Sequence, residues 1–332
     1  MSRTPTSSNS PFVVAELSAN HLGDLGRAKE LVYAAYVAGA DAIKLQTYRA
    51  ETMVGDPHHA LASGPWAGRL LVDLYREAAT PWDWHPVLFE TAHSLGMEAF
   101  SSVFDLEGLA FLESLEVPRY KVASFELTDT PLIRAVAETG KPVILSTGMG
   151  SAEEVRAAVE AAGRPTLLHC VSAYPAKAAD ARLRRMGALR IAYGCQVGLS
   201  DHTLSTAIPA AAAALGATVI EKHLTLSRAD GGPDAGFSLD PGEFADMVRA
   251  VREVSQALGN RGAQAEQPQR ALRRSLWATS DIRRGEPFTA ENFDSRRLSG
   301  GLEPSLKQDI LGRRASRDIA RFTPIRADMI AG

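Results

Sequence analysis

The chain has 332 residues, of which 45% are hydrophobic and 23% are charged, and its formal net charge is −3. This length allows one large domain and one small one, and the weak negative charge argues against nucleic-acid binding, which usually needs a basic face. No apolar run reaches the roughly 18 residues of a membrane span, and no signal peptide is visible. The two cysteines, Cys170 and Cys195, are too few for a disulfide framework, so a reducing cytoplasm is the expected location.

Apolar strand segments alternate with helical segments along most of the chain, after a polar start. Residues 1–11 are polar and are predicted to be disordered. Helical patterns include Leu25–Ala38, Pro131–Thr139 and Ala152–Ala162. The predicted strands are Phe12–Leu17, Ala42–Gln46, Glu98–Ser101, Arg119–Val122, Pro142–Ser146, Thr166–His169, Gln196–Leu199 and Val219–Leu224.

This alternation predicts an α/β fold. Continuous apolar strands between helices are typical of a parallel sheet that is covered on both faces. Eight such units in about 250 residues favour a closed (β/α)8 TIM barrel, over residues 12–259. A doubly wound open sheet is the alternative, but the chain has no GxGxxG turn of the kind found in dinucleotide-binding sheets.

The end of the chain has a different character. A polar linker without apolar periodicity is predicted at residues 260–272. Beyond it, Asp281–Phe293 (DIRRGEPFTAENF) and Asp318–Ile330 (DIARFTPIRADMI) share Asp, Ile, Arg, Pro and Ala at matching positions. This repeat predicts a small β-rich domain at residues 273–332 with internal pseudo-symmetry. A domain of this size is marginally stable alone and would gain stability by docking.

Polar side chains follow nearly every predicted strand, at the end where barrel enzymes carry their chemistry. His202 and His223 follow two strands that flank one helix-length segment, so we expect their imidazoles to converge. Two neutral imidazoles at adjacent strand ends can bind a divalent metal and leave other positions open to substrate. In the alternative interpretation, each histidine is an ordinary hydrogen-bonded residue at a strand end.

Lys44 and Lys121 lie at other predicted strand ends. Because an unpaired buried ammonium is costly, each lysine needs an anionic partner. That partner is either an anionic ligand, such as a phosphate or a carboxylate, or an internal glutamate, Glu16 or Glu126. Lys121 is also a candidate for Schiff-base chemistry, which would require a lowered lysine pKa and no metal.

These residues lie in ordered motifs that run from about Phe12 to Ile330: AELSANHLGD, GADAIKLQTY, TPWDWH, FSSVFD, YKVASFE, STGMGS, HCVSAYPA, VGLSDHT, VIEKHLTL and GGPDAGFSLDP. With them, the chain resembles the sialic acid synthase family, whose members condense phosphoenolpyruvate with an amino-sugar aldose. The tail resembles the antifreeze-like (SAF) domain of that family. The resemblance implies a TIM barrel followed by a SAF domain, and a swapped homodimer in which each tail caps the partner's barrel.

The resemblance also implies roles for individual residues. His202 and His223 match the ligands of a divalent metal, Mn²⁺ or Mg²⁺. The residues that match the phosphoenolpyruvate site are Lys44, Lys121, Ser124, Ser172 and Ser200. Those that match the site of the N-acyl amino-sugar are Tyr174, Asp234 and Arg297. The residues assigned to the chemical step are Glu16, Glu126, Lys121 and Gln46, and either glutamate is a candidate for moving protons.

Within the family, the forms ELSANH, TPWDWH, SAYPA and GGPDxxFS look most like the pseudaminic acid synthase branch, which acts on 2,4-diacetamido-2,4,6-trideoxy-L-altrose. One alternative is the N-acetylneuraminate and legionaminate branches, which usually carry an asparagine at the place of Ser172. Others are a related synthase that makes a shorter keto acid, against which the SAF tail argues, and a non-catalytic sugar-binding barrel. Two departures concern the tail: Arg297-Leu298-Ser299 replaces the usual Arg-Pro-Gly, and Phe322 replaces a glycine.

Overall fold

The computed structural model describes residues 10–259 and 267–332. The predictions made for residues 1–9 and for residues 260–266 of the linker lie outside this part of the chain. The described residues belong to two compact units, one within residues 1–258 and the other within residues 259–332. Each unit is built around its own buried apolar cluster.

The first unit is built on eight parallel strands that close into a barrel, as the sequence predicts. The strands are β1 (Phe12–Glu16), β2 (Ala42–Thr47), β3 (Glu98–Val103), β4 (Tyr120–Val122), β5 (Val143–Ser146), β6 (Thr166–Cys170), β7 (Gln196–Asp201) and β8 (Val219–His223). Spatial order follows chain order, and the pairing of β1 with β8 closes the barrel. Closure therefore brings the first and last strand ends together.

Helices connect these strands within the described part of the first unit. They are α1 (Leu25–Ala38), α2 (Ala50–Met53), α3 (Leu71–Ala78), α4 (Trp84–Ser94), α5 (Leu106–Ser114), α6 (Thr130–Glu138), α7 (Ala152–Ala162), α8 (Arg184–Tyr193), α9 (Ala207–Ala214) and α10 (Pro241–Ala257). The first begins where the Asp24 side chain accepts a hydrogen bond from the Arg27 backbone, and α7 begins at a capping box of Ser151 and Glu154. No helix in the described ranges is both long and apolar enough to span a membrane.

Alternation along the strands divides the barrel interior into two layers. Six buried apolar side chains form the lower layer: Val14, Ala42, Phe100, Ile144, Leu168 and Val219. Side chains two positions further along a strand point to the same face. The residues at these positions are Glu16, Lys44, Ser102, Ser146, Cys170 and Glu221. The polar layer therefore lies directly above an apolar floor, at the carboxyl ends of the strands.

The second unit contains a two-stranded antiparallel sheet, β9 (Arg274–Ala278) with β10 (Phe293–Arg297), and a short helix, α11 (Lys307–Ile310). Elsewhere its backbone pairs through isolated bridges. Ile282 and Ile319 exchange two backbone hydrogen bonds of 2.8 Å, and both side chains are buried. These two residues occupy the same position in the two copies of the predicted repeat.

The pseudo-symmetry predicted from the repeat is confirmed by a second reciprocal pair of contacts. The Asp318 carboxylate accepts a hydrogen bond from the Arg284 backbone N–H, and the Asp281 carboxylate accepts one from the Arg321 backbone N–H, both at 2.7 Å. Each aspartate therefore caps the turn of the other copy. The two copies of the repeat therefore stabilise each other through equivalent contacts.

Candidate active site

A pocket opens at the carboxyl ends of the barrel strands. Its lining residues are Glu16, Lys44, Gln46, Ser102, Phe104, Lys121, Ala123, Ser124, Phe125, Ser146, Cys170, Tyr174, Ser200, His202, Glu221 and His223. Most residues that the sequence analysis assigned to a site are brought together here. Those that do not line the pocket are Glu126, Ser172, Asp234 and Arg297.

Lys44 lies between two carboxylates at the centre of the pocket. Its Nζ forms a salt bridge with Glu16, a second one with Glu221 at 3.8 Å, and a hydrogen bond of 2.9 Å to Ser102 Oγ. An internal partner for Lys44 is therefore present, as one of the two interpretations expected. Burial would lower the pKa of Lys44, but the two carboxylates outweigh it and hold that pKa above its ordinary value.

The two carboxylates respond differently to this environment. Burial raises the pKa of Glu16 to about 7, although Lys44 opposes the change. Burial also acts on Glu221, but Lys44 and Lys121 together outweigh it and hold the pKa of that carboxyl below its ordinary value. Glu16 is thus poised to exchange a proton near neutral pH, while Glu221 stays ionised.

Lys121 is less closely paired than Lys44, although the Glu221 carboxylate interacts with it electrostatically. It is buried, and its Nζ donates to the Val122 carbonyl at 3.0 Å, but it forms no salt bridge within residues 10–259. Burial lowers the pKa of this lysine. Because a buried cation without a salt bridge is unfavourable, an anionic ligand that bound next to Lys121 would stabilise its charge.

His202 and His223 lie next to each other at the ends of β7 and β8, with ring centroids 5.5 Å apart. The Nδ1 of His202 is 2.9 Å from the Val171 carbonyl, so Nδ1 carries the proton and Nε2 keeps a lone pair. The Nδ1 of His223 is buried and has no hydrogen-bond partner. Burial lowers the pKa of both histidines, so both imidazoles are neutral at pH 7.

An aromatic wall covers the two histidines. Tyr174 lies 4.4 Å from the His202 ring and 5.0 Å from Phe237, which in turn lies 4.9 Å from the His223 ring. Trp66, from the long connection between β2 and β3, contacts Tyr174 and Phe237 and donates a hydrogen bond to the Pro233 carbonyl at 2.8 Å. These rings restrict the access of water to the histidines.

Ser124 and Ser200 contribute hydroxyl groups to the pocket lining, and Ser172 lies next to it without lining it. Ser124 Oγ lies 3.0 Å from Cys170 Sγ, and Ser200 Oγ donates to Glu221 at 2.9 Å. The Ser172 hydroxyl is buried without a partner. A Cβ at Gly148 would lie 2.6 Å from Ser124 Oγ and 2.7 Å from Ser172 Oγ, so only glycine leaves these two hydroxyls room to approach each other.

The other assigned residues are not among those that line the pocket. Asp234 follows β8 and accepts a hydrogen bond from Ser18, and burial raises its pKa. Glu126 follows β4; one of its oxygens is buried without a partner, and burial raises its pKa to about 7. Arg297 is an exposed residue at the end of β10 in the second unit.

Sequence reasoning did not assign several residues that line the pocket. Glu221 is the most important of them, because it contacts Lys44 and Ser200. The sequence does contain a pattern that predicts this position: Glu221 precedes His223 by two residues on one strand, so the two side chains point to the same face. The same spacing would have found Ser102 above Phe100. Phe237, which contacts the rings of Tyr174, His202 and His223, gave no such signal, because it lies in a short 3-10 helix, Ala235–Phe237, outside the strands.

Comparison with known proteins identifies the family. Residues 31–263 match the model of the NeuB family, and residues 273–331 match the SAF domain. The chain belongs to the NeuB family. The resemblance to sialic acid synthases is thereby confirmed, and so is a barrel followed by a SAF domain. The SAF match covers the unit in which the repeat was found.

Individual relatives match over nearly their whole length. The chain is 41% identical to the pseudaminic acid synthase of Helicobacter pylori, over 96% of this chain and 98% of that protein. It is 37% identical to the N,N'-diacetyllegionaminic acid synthase of Legionella pneumophila, over 96% of this chain and 94% of that protein. A crystal structure of N-acetylneuraminic acid synthetase from Leptospira borgpetersenii, 33% identical, superposes with a TM-score of 0.71 over 79% of this chain and 90% of that one.

Proposed function

We propose that this NeuB-family protein is a pseudaminic acid synthase. It condenses phosphoenolpyruvate with 2,4-diacetamido-2,4,6-trideoxy-L-altrose and releases pseudaminic acid and inorganic phosphate. The observation that carries the proposal is a buried ammonium, Lys121, that forms no salt bridge within residues 10–259 and shares one pocket with two neutral imidazoles. The choice of branch is supported by identities of 41% and 42% to the pseudaminic acid synthases of Helicobacter pylori and Campylobacter jejuni.

Phosphoenolpyruvate binds, in this proposal, on the side of the pocket that holds cations and hydroxyls. Lys121 supplies a positive charge that forms no salt bridge within residues 10–259, and Lys44 adds a second ammonium. The Ser124 and Ser172 hydroxyls converge at Gly148; the Ser172 hydroxyl has no partner, and the Ser124 hydroxyl would exchange its contact with Cys170 Sγ for a phosphate oxygen. Such donors, held in place before the substrate arrives, also stabilise the phosphate as it leaves.

The residues present fit a divalent metal. His202 and His223 are neutral, and the proton on His202 Nδ1 is held by a backbone carbonyl, an arrangement common for metal-binding histidines. The described residues contain no cluster of three or more candidate ligands, so substrate and water would complete the coordination. A bound Mn²⁺ or Mg²⁺ would supply Lewis-acid polarisation of the sugar aldehyde.

The bond changes follow from the two substrates. C3 of phosphoenolpyruvate attacks the aldehyde carbon of the open-chain sugar, which forms the new carbon–carbon bond and leaves positive charge at C2. Water adds at C2, and the C2–O bond to phosphate then breaks. Protons must reach the new hydroxyl and leave the attacking water. Glu16 is suited to move one of them, because its pKa of about 7 lets it hold or give up a proton at neutral pH. Glu126, with a similar pKa, is the second candidate.

A Schiff-base lyase is the second candidate function. The pKa of Lys121 is lowered by burial, which is one condition that such chemistry requires. The nearby histidine pair argues against it, because a lyase of this kind has no use for a metal. Borohydride trapping separates the two candidates: a lyase is inactivated covalently in the presence of its carbonyl substrate, whereas the synthase is not.

We also propose a cytoplasmic homodimer in which the SAF domain of one subunit caps the barrel of the other. Apolar side chains are exposed on three loops at the barrel mouth: Phe125 after β4, Met149 after β5 and Leu204 after β7. A covering surface would bury them. In this arrangement Arg297 would reach the sugar from the partner subunit.

The test is phosphate release from phosphoenolpyruvate by the full chain with Mn²⁺ present. Three acceptors are compared: the diacetamido-trideoxy-altrose, N-acetylmannosamine and the legionaminate precursor sugar. We expect release with the altrose sugar, loss of release after chelation, and recovery when the metal is returned. Release with another sugar alone would overturn the branch and keep the chemistry. No release with any of the three would contradict the proposed function.

A further inference from the structure

Ser18 occupies a strained position immediately after β1. Its φ of +45° lies in the left-handed region, which residues with a Cβ rarely adopt. The residue is buried and opens a short 3-10 helix, Ser18–His21, at the mouth of the barrel. Glycine would occupy this backbone conformation at lower cost. The presence of serine therefore indicates a role for its hydroxyl.

The side chain of Ser18 joins residues that follow or end the two strands next to β1, namely Gln46 on β2 and Asp234 after β8. Its Oγ accepts a hydrogen bond from Gln46 Nε2 at 3.2 Å and donates a short one to Asp234 Oδ2. Its backbone N–H donates to Glu16 Oε1 at 3.0 Å, and Gln46 Nε2 reaches the same oxygen at 3.3 Å. Ser18 is therefore the link between Asp234 and the Glu16 side of the pocket.

The direction of these hydrogen bonds is set by chemistry. The Gln46 amide nitrogen can only donate, so it occupies a lone pair of the Ser18 hydroxyl, and the hydroxyl proton goes to Asp234. Ala19 N–H also donates to Oδ2 of Asp234, at 3.4 Å. Both contacts of the carboxylate within the described residues end on Oδ2, which leaves Oδ1 to accept a hydrogen bond from a ligand.

We propose that Ser18 is a positioning residue, which orients Asp234 so that Oδ1 accepts a hydrogen bond from a hydroxyl or amide N–H of the acceptor sugar. This inference rests on the proposed function and adds to it a residue that determines how the sugar binds. This role also accounts for the strained backbone, because the left-handed conformation of Ser18 directs its N–H to Glu16 and its hydroxyl to Asp234. The phosphoenolpyruvate site proposed above uses Lys121 and the Ser124 and Ser172 hydroxyls, and the hydrogen bonds of the Ser18 hydroxyl go to Gln46 and Asp234 instead.

Two substitutions at Ser18 separate positioning from a purely structural role. Ser18→Ala and Ser18→Gly both remove the hydroxyl, but only glycine relieves the backbone. We expect both variants to lose on the order of tenfold in kcat/KM for the sugar, with KM for phosphoenolpyruvate unchanged, because a hydrogen bond to a charged group is lost in each. The melting temperature should be higher for Ser18→Gly than for Ser18→Ala.

Glu116→Gly is the matched control. Glu116 also has a left-handed backbone, with φ of +54°, but it follows α5 and does not line the pocket. This variant should melt at a higher temperature and keep wild-type kinetics.

If Ser18→Gly has wild-type kinetics for the sugar, whether or not Ser18→Ala is impaired, Ser18 only shapes the turn. That result would overturn this inference and leave the proposed function standing. A wild-type enzyme that turns over no amino-sugar would refute the proposed function, and with it this inference.

Discussion

Gly148 illustrates how a single residue without a side chain can define a binding site. It lies in the loop after β5, with φ of +33°, and its missing Cβ leaves a gap between Ser124 and Ser172. The sequence motif STGMGS drew attention to this loop but did not indicate what the glycine faces. That information depends on loops after β4 and β6, which approach Gly148 only in the closed barrel.

Gly148→Ala should weaken phosphoenolpyruvate binding. The new methyl group would lie within 2.7 Å of both serine hydroxyls and would displace them from the proposed phosphate position. We expect KM for phosphoenolpyruvate to rise by about tenfold or more, the cost of losing one charge-assisted hydrogen bond. Steady-state kinetics at saturating sugar measures this.

The control for this variant is Gly163→Ala. Gly163 has φ of +78°, so alanine is strained there as well, but nothing lies within 4 Å of its Cβ position. It should lose stability without a change in KM for phosphoenolpyruvate. Equal KM values in the two variants would contradict the assignment of this gap to phosphate.

At the scale of the elements, the tail shows where a repeat departs from its own symmetry. Gly285, with φ of +80°, occupies the position in the first copy that Phe322, with φ of +66°, occupies in the second. Phe322 is 71% exposed, and its ring packs against the Arg321 guanidinium, at 4.4 Å. Both copies therefore keep the left-handed turn, but only the first copy has glycine, the residue best suited to it.

Phe322→Gly should stabilise the tail by about 0.5 to 1 kcal/mol. Relief of the left-handed backbone contributes about 1 kcal/mol, and loss of the exposed cation–π contact offsets part of it. Amide hydrogen exchange of β9 and β10 in the full chain measures the change. The reciprocal variant, Gly285→Ala, should speed exchange in the same strands. Faster exchange in Phe322→Gly would show that the ring contributes more than the strain costs.

Over the whole molecule, buried histidines dominate the expected pH dependence of stability. Burial lowers the pKa of five of them: His21, His85, His169, His202 and His223. The pKa of His85 falls to about 4 from an ordinary value of 6.5. Between these values the unfolded chain binds more protons than the folded one, so stability rises as pH rises. Glu16 and Glu126, with pKa values raised to about 7, act in the opposite direction between 4.5 and 7.

His85→Gln isolates one of these contributions. His85 contacts Thr47 through Nε2 at 2.8 Å and is not among the residues that line the pocket. We expect the slope of unfolding free energy against pH, measured with chelator present between pH 4.5 and 6, to fall by up to one proton, or about 1.4 kcal/mol per pH unit. An unchanged slope in His85→Gln would mean that this histidine is charged in the folded state.

Local patterns in the sequence are enough to predict the barrel, the positions of its strands, the paired histidines and the repeat in the tail. These depend on local properties: continuous apolar strands between helices, and polar residues where strands end. Helices such as α1 and α7 were predicted with their observed bounds, because their caps and periodicity lie within one short segment.

Which polar side chains meet depends on how the strands pack and pair in the closed barrel. Each strand can in principle present either of its two faces to the interior, and the packing of the helices selects one. Closure of β1 against β8 brings Ser18 to Asp234 across 216 residues of sequence, and adjacent strands bring Lys44, Glu16 and Glu221 into one ionic group. Contacts of this kind depend on register and closure, which no segment of the chain contains alone.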